Sequence, residues 1–246
     1  MNYFAEHIKD LSDRSEKRGI YTFSPFLTLD EQSVLISMKK ELCLFTLFGG
    51  ADGCERVRAR FGSPEELGYE QPFPISCIGI SPLNERFSDE MSHRDILGAV
   101  MSLGLERSQI GDIAVNGKRG FIFVNSDKAE YICGELKKIR HTDVKCAVCE
   151  FDSSETLRKT EKITVITASQ RLDCIVGAVY NLSRSDTSEL FASNRIFING
   201  KLITSPSAHP QNGDTVSVRG KGRFVTLGEA AKTKKGRSVL DIEIFI

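Results

Sequence analysis

The alternation of apolar and polar positions divides the first 74 residues into short elements. Apolar residues at helical spacing predict helices over 3–17 and 28–40. Thr28 and Glu31 form a capping box at the start of the second helix. An apolar run at 42–48 predicts a strand, a helical stretch follows at 55–61, and prolines then break the pattern. An N-terminal α/β region is therefore expected.

Beyond residue 74 the order of the patterns indicates one architecture. The order β-α-β-β-α-β is that of ferredoxin-like domains, which include the RNA-recognition fold. Many unrelated functions share this order, so it predicts no activity by itself. Phe121 and Phe123 are the only candidates for base stacking, and core packing is the alternative for at least one of them. The elements are predicted at 75–80 (strand), 94–103 (helix), 110–115 and 120–124 (strands), 127–139 (helix) and 144–151 (strand).

After a short polar segment, the chain predicts two helices followed by strands. Apolar positions give one amphipathic helix over 171–181, and a capping box beginning at Ser183 starts a second. Asn199-Gly200 favours a tight hairpin. Alternating residues at 215–219 and at the chain end, 240–246, predict further strands.

The expected fold class is α+β with three domains and one linker. The bounds are an N-terminal α/β region at 1–74, a ferredoxin-like or RRM-like domain at 75–151, a linker at 152–162, and a small αα-plus-β-hairpin domain at 163–246.

Composition agrees with a folded protein that has more than one core. Of 246 residues, 40% are hydrophobic and 27% are charged, which is typical of globular chains. No apolar run approaches the ~20 residues that span a bilayer, and the N-terminus lacks a signal peptide's apolar core. A cytoplasmic protein without a membrane partner is expected. The seven cysteines are scattered in apolar runs and predict reduced, buried side chains.

A formal net charge of zero hides a strong asymmetry. Up to residue 155 there are 19 Lys+Arg against 25 Asp+Glu, net −6; the remainder has 14 against 8, net +6. A basic segment attracts polyanions, because Lys and Arg that neutralise phosphates release condensed counterions. An ordinary solvated surface is the alternative from charge alone.

The basic residues of the C-terminal segment fall at element ends and in turns. Arg184 lies in the first turn of a predicted helix, where free N–H groups and the helix dipole favour a phosphate. Arg195 and Lys201 bracket the predicted hairpin. Arg219-Gly-Lys-Gly-Arg223 places three cations in one flexible loop. These cations are expected to form one continuous face that binds a polyanion.

Several blocks of this segment resemble a known RNA-binding domain. Arg171-Leu-Asp173, Ser183-Arg-Ser185, Ile196-Phe-Ile-Asn-Gly200, and Gly213-Asp214 followed by Val216-Ser-Val-Arg219 resemble the domain named after ribosomal small-subunit protein four. That S-four-type domain recurs in tyrosyl-tRNA synthetases, pseudouridine synthases and a ribosome-associated heat-shock protein. The resemblance covers roughly residues 169–223.

Further blocks resemble the YlmH family of Gram-positive bacteria. These are Gly49-Gly-Ala-Asp-Gly-Cys-Glu-Arg56, His93-Arg-Asp-Ile-Leu-Gly98 and Gly104-Leu-Glu-Arg-Ser-Gln-Ile-Gly-Asp112. The resemblance implies an N-terminal region, an RNA-binding middle domain and the S-four-type module. It also implies binding to ribosomal RNA, and to tRNA as a further candidate, on the large ribosomal subunit. Genomic association with cell division makes a cell-division protein another candidate partner.

By matching position, the resemblance assigns RNA contacts to a defined set of residues. For Asp173 and Asp214 we expect a structural role instead, because a carboxylate would repel a nearby phosphate. Secondary RNA contacts are expected at Arg94 and Arg107. The primary set is Arg171, Ser183, Arg184, Ser185, Arg195, Asn199, Lys201, Arg219, Lys221 and Arg223.

Two motifs that suggest other chemistry have simpler interpretations. His93-Arg94-Asp95 is similar to a kinase catalytic loop, but Val100 stands where that loop needs Asn, so a capped helix start is favoured. Cys146 and Cys149 would point to opposite faces of a strand, which disfavours zinc binding. No catalytic residue, metal or cofactor is expected.

Three functions remain as alternatives for the whole chain. The first is a non-catalytic RNA-binding protein linked to translation or ribosome quality control. The second is a cell-division adaptor whose RNA binding is incidental. The third is an accessory factor in RNA modification, because pseudouridine synthases carry a similar module. Those enzymes need a catalytic Asp in a large separate domain, and no such block is recognisable before the basic segment.

Overall fold

A computed structural model of the chain describes residues 3–151 and 160–245. The chain divides into two compact units, Met1–Leu157 and Arg158–Ile246. Each combines helices with antiparallel sheets, which confirms the predicted α+β class. Across the described ranges, none of the helices has the length and apolar character needed to cross a membrane. The predicted linker lies largely outside the described residues, and its last three positions belong to a strand that begins at Thr160.

The N-terminal region of the first unit packs helices on a three-stranded antiparallel sheet. The predicted capping box is present: Thr28 N–H donates to Glu31 Oε2 at 2.7 Å, and the Thr28 hydroxyl accepts from Glu31 N–H at 3.3 Å. The helix ends at Ser37, earlier than expected. The sheet order is β1-β3-β2. The elements are α1 (Tyr3–Arg18), β1 (Thr22–Phe23), α2 (Leu29–Ser37), β2 (Phe45–Phe48), β3 (Arg58–Phe61) and α3 (Pro64–Leu67).

The prediction of a helix at 55–61 is wrong, because this stretch contains strand β3. All four β3 residues are buried, including two arginines. Arg58 donates to the carbonyls of Ser24 at 2.7 Å and Pro74 at 2.9 Å, and Arg60 donates to Gln71 O at 2.6 Å. Because these two arginines are buried and donate to backbone carbonyls, they hide the period of two that identifies a strand.

The middle region of the first unit carries the expected β-α-β-β-α-β order. Its sheet has the order β5-β6-β4-β8-β7, with every neighbouring pair antiparallel. The second helix is shorter than predicted and ends at Glu135, since the chain then turns into a two-residue edge strand. The elements are β4 (Ile75–Pro82), α4 (His93–Met101), β5 (Ile110–Asn116), β6 (Arg119–Asn125), α5 (Ser126–Glu135), β7 (Lys138–Ile139) and β8 (Thr142–Cys149).

The two faces of this middle sheet are covered differently. One face buries Ile78 and Ile122 against α4 and α5, in a core that includes Ile96 and Ile132. On the other face Phe123 is 1% exposed and clusters with Phe26 from the N-terminal region. Phe123 is therefore a core residue, as one alternative expected.

Phe121 lies on the same sheet face as Phe123 and packs against the same cluster. Its ring centroid is 5.4 Å from that of Phe151, in an edge-to-face arrangement, and the side chain is half-buried. Aromatic pairs of this kind stabilise a packed cluster. A base that stacked on the Phe121 ring would have to compete with Phe151 for contact with that ring.

Partly buried hydrogen bonds join the N-terminal and middle regions within the first unit. The Asp112 carboxylate accepts from Glu55 N–H at 2.6 Å and from Arg56 N–H at 3.1 Å. The Arg56 guanidinium donates to the carbonyls of Ile110, Phe26 and Arg107. Two of the blocks that resemble YlmH, at 49–56 and 104–112, thus meet each other and have a structural role.

The second unit packs two helices on one face of a six-stranded antiparallel sheet with the order β11-β10-β12-β13-β14-β9. Its core includes Leu172 and Val176 of the first helix, Phe191 of the second, and Val216 and Phe224 of the sheet. The long hairpin that places β13 beside β14 was not predicted. The elements are β9 (Thr160–Thr167), α6 (Leu172–Val179), α7 (Arg184–Ala192), β10 (Ile196–Ile198), β11 (Lys201–Leu202), β12 (Thr215–Val218), β13 (Gly222–Lys232) and β14 (Ser238–Phe245).

Candidate nucleic-acid interface

Three exposed cations lie together where β10 begins and β12 ends; we call Arg195, Arg219 and Lys221 the basic end cluster. The Arg219 N–H donates to the Arg195 carbonyl at 2.9 Å, which holds the two backbones side by side. The Arg219 guanidinium stands 4.5 Å from the centroid of the Phe197 ring. This cation–π contact orients the arginine and leaves its charge at the surface.

The segment at 219–223, expected to be a flexible loop, is a tight turn. Lys221 N–H donates to the Val218 carbonyl at 2.9 Å, and β13 begins at the next residue, Gly222. Arg223 therefore belongs to a strand, with its guanidinium 5.2 Å from the centroid of the Phe245 ring. The strand register places Arg223 opposite Ser217, on the sheet face away from the helices.

Gly220 gives the basic end cluster its shape. Its φ is +82°, and a Cβ on it would overlap the Arg195 guanidinium. Glycine lets the two arginines approach because it has no side chain and tolerates positive φ. Neither property of this position follows from an RNA-binding motif.

Replacing Gly220 with alanine should lower the free energy of unfolding by about 1–2 kcal/mol and also weaken RNA binding several-fold. The second effect is expected because the new methyl group displaces Arg195. Gly213→Ala is the matched control, since Gly213 has φ +88° but open space around its Cβ position. Thermal melts and RNA titrations of both variants check this. Equal RNA binding by the two variants would mean that the position of Arg195 is unimportant.

Arg171, at the start of α6, is held by a neighbouring carboxylate. Its Nε and Nη2 donate to the two oxygens of Asp173 at 3.1 and 2.7 Å. Hydrogen bonding to Arg171 lowers the pKa of the Asp173 carboxyl, and the same bond raises the pKa of Arg171. The pair orients Arg171 and balances part of its charge. Asp173 thus has the structural role expected for it.

The start of α7 contains the predicted capping box and one exposed arginine. The Ser183 hydroxyl accepts from Asp186 N–H at 3.1 Å and lies 2.8 Å from the Ser185 hydroxyl. Arg184 is the first helical residue, and its side chain forms no ion pair with any other residue of the described ranges. Of the three residues assigned here, Arg184 is the one whose side chain extends freely to solvent.

The β10–β11 hairpin is held by side chains that were assigned to RNA or to structure. Asn199 has φ +49°, donates to Asp214 Oδ1 at 2.7 Å and accepts from Thr215 N–H at 2.9 Å. The amide of Asn199 is therefore used to hold the turn, and Asp214 has the expected structural role. Lys201 is exposed beside the turn.

The predicted cations fall into separate groups along the second unit. Helix α7 runs from Arg184 to Ala192, and nine residues at 1.5 Å each place its two ends roughly 14 Å apart. Arg184 stands at one end and the basic end cluster follows the other. Arg184 and the basic end cluster thus lie toward opposite ends of α7, and Lys201 lies at the hairpin. Whether they share one face stays a prediction.

In the first unit the two secondary candidates differ. Arg94 is exposed in the first turn of α4, whose start is capped by Ser92 and Asp95, as the helix-start interpretation expects. Arg107 donates to the carbonyls of Ile110 at 2.7 Å and Gly111 at 3.2 Å. Burial, and the nearby charge of Arg56, lower the pKa of Arg107 to about 10. Its guanidinium holds the fold and is not directed to a ligand.

The two cysteines considered for zinc lie on opposite faces of β8. Cys149 lies opposite Cys77 in the strand register and packs in the cluster around Phe123. Cys146 packs against the core under the helices. Among residues 3–151 and 160–245, no group of three or more His, Cys, Asp or Glu is arranged to hold a metal ion. The strand geometry inferred from the sequence is therefore present.

Comparison with known proteins identifies the middle region. Residues 69–153, which contain β4 to β8, match the family model described as "Putative RNA-binding domain in YlmH". A relative from Bacillus subtilis (strain 168), named ribosome-associated protein quality control protein P2, is 28% identical over 221 residues, covering 86% of this chain and 82% of the relative. These two matches make the chain similar to YlmH-type RNA-binding proteins, with the family model covering residues 69–153.

A solved structure provides a further comparison. The cell division protein ylmH from Streptococcus pneumoniae is 26% identical, with a TM-score of 0.48. The alignment covers 59% of this chain and 88% of that one. The residues that match the RNA-binding domain model contain the middle sheet, and the basic end cluster lies outside them.

Proposed function

We propose that this protein is a non-catalytic, cytoplasmic RNA-binding protein of the YlmH family. It recognises structured RNA on the large ribosomal subunit, namely ribosomal RNA and/or tRNA, and acts in translation or ribosome quality control. The basic end cluster of the second unit carries this proposal. The match of residues 69–153 to the RNA-binding domain model and the ribosome-associated relative in Bacillus subtilis support it. The second unit acts as an S-four-type module.

The basic end cluster suits phosphates because its charges are exposed and fixed on rigid elements. Arg195 and Arg219 are joined by a backbone hydrogen bond, and Lys221 sits in a tight turn beside them. Guanidinium groups bind phosphate oxygens through two parallel N–H donors, which adds geometric selectivity to the charge. A site of this kind recognises the spacing of phosphates and not base sequence.

Folded RNA fits this arrangement better than a flexible single strand. Single-strand binders expose aromatic rings on which successive bases stack. Here Phe197 and Phe245 are each covered by an arginine guanidinium. Arg184 adds a charge at the start of the nine-residue helix α7, whose two ends lie roughly 14 Å apart, and the basic end cluster follows the other end. Charges at fixed, separate points match the phosphates of a rigid RNA surface.

A salt titration of binding to ribosomal RNA tests the proposal. With about 4–6 phosphates contacted, the logarithm of the affinity should fall with the logarithm of salt concentration with a slope near −3 to −5. A cell-division adaptor with incidental RNA binding would show little affinity at ~150 mM salt. That result, or a slope near zero, would contradict the proposal.

A further inference from the structure

The second unit contains a groove whose lining residues do not include the basic end cluster. It lies between the end of β9, helix α6 and the first turn of α7, with a volume of about 630 Å³. We call it the α6–α7 groove. Its walls are small or apolar, with Ala168, Gly177, Ala178 and Leu182 among the lining residues. A concave apolar surface of this kind accepts a flat or apolar group.

Cations flank the α6–α7 groove. Arg171 and Arg184 both line it, and their positions at the starts of α6 and α7 add the positive ends of two helix dipoles. Asp173 also lines the groove and is ionised beside Arg171, so its carboxylate can accept a hydrogen bond. An occupant with phosphates and an N–H donor on a flat apolar group complements these side chains.

Thr167 supplies an independent sign of a missing partner. It lines the α6–α7 groove, is 3% exposed, and its hydroxyl has no hydrogen-bond partner among the described residues. The other groove hydroxyls are used: Thr187 donates to Ser183 O at 2.9 Å, and Ser188 donates to Arg184 O at 2.8 Å. A buried hydroxyl without a partner costs free energy, which a bound ligand can recover.

We propose that the α6–α7 groove holds one unpaired nucleotide base, extruded from the RNA that the second unit binds. This inference rests on the proposed function and deepens it. The base stacks against the small-residue walls. Arg171 and Arg184 hold the phosphates on either side of it, and Thr167 or Asp173 hydrogen-bonds its edge. The second unit then selects RNA with a bulge or an unpaired loop residue over a continuous duplex.

The test compares two RNA pools with the full-length protein. Both pools are hairpins with randomised stems; one carries a single bulged nucleotide, and the other is fully paired. Because stacking of one base is a large contribution, the wild type should prefer the bulged pool by about tenfold. Ala168→Leu fills the groove from an exposed position and should remove the preference while leaving binding to the paired pool unchanged. Ala192→Leu, exposed on α7 outside the groove, is the matched control and should behave as wild type.

Thr167→Val gives a second readout that a purely structural role would not produce. It replaces the unpartnered hydroxyl with a methyl group, so the melting temperature should stay the same or rise. The preference for the bulged pool should nevertheless fall about fivefold, because a hydrogen bond to the base is lost. A variant that melts well below wild type, with its preference intact, would show that the hydroxyl serves the fold.

The outcomes separate this inference from the proposed function. Equal binding of wild type to both pools would overturn the base site while leaving RNA binding intact. Absence of binding to either pool would refute the proposed function itself. If Ala168→Leu binds both pools as wild type does but no longer co-sediments with ribosomes, the groove holds a protein segment, and the base site is overturned.

Discussion

Replacing Phe123 with alanine should lower the free energy of unfolding of the first unit by about 3–5 kcal/mol. Phe123 is 1% exposed and fills the space between the middle sheet and the N-terminal region. Its ring lies 5.3 Å from that of Phe151, and it clusters with Phe26. Removing the ring leaves a cavity that rigid neighbours on both sides cannot fill. Urea unfolding followed by circular dichroism measures the loss.

Phe48→Ala is the control for this prediction. Phe48 is 37% exposed and contacts mainly Phe73, so its truncation should cost much less. In ferredoxin-like RNA-binding domains this sheet face stacks bases on aromatic rings. If Phe123→Ala leaves stability nearly unchanged but strongly reduces RNA binding, Phe123 stacks on a base and is not a core residue. That result would also mean that the N-terminal region leaves the sheet when RNA binds.

Replacing all three residues of the basic end cluster with alanine should reduce RNA affinity about 100-fold at ~150 mM salt. Each lost phosphate contact removes close to one unit from the salt dependence, so the slope should become shallower by about 3. Stability should change little, because the three side chains are exposed. Fluorescence anisotropy with ribosomal RNA at several salt concentrations measures both quantities.

The same unit offers a control of identical charge. Lys232, Lys234 and Lys235 are exposed at the far end of the β13–β14 hairpin, ten residues along β13 from Gly222. At about 3.3 Å per residue, this end is roughly 30 Å from the basic end cluster. Alanine at these three lysines should leave most of the affinity. An equal loss in both triple variants would show that binding depends on net charge and not on the basic end cluster.

Much of the fold was predictable because short-range chemistry determines it. The capping boxes at Thr28 and Ser183 form as expected, since a hydroxyl three residues before a carboxylate satisfies free N–H groups locally. The β-α-β-β-α-β order followed from periodicity. The strand at Arg58–Phe61 did not, because its buried arginines bind carbonyls that are distant in sequence.

The candidate site was predictable in its residue types but not in its arrangement. Position in the motif identified Arg184, Arg195, Arg219 and Lys221 as exposed cations, and the structure places them at the surface. The position in the motif could not show that the Asn199 side chain holds a turn. It also could not show that Arg171 pairs with Asp173 or that Arg107 donates to backbone carbonyls. These interactions depend on the conformation that the backbone adopts in the folded protein.

The sequence alone determined the α+β class, most of the helix starts, the charge asymmetry and the resemblance to YlmH proteins, because each depends on residue identity and local spacing. Tertiary structure decided which cations remain available, which sheet face is covered, and where a groove with an unpartnered hydroxyl forms. These features depend on contacts between residues far apart in the chain. Local preferences do not specify such contacts; burial and hydrogen-bond satisfaction across the whole unit do.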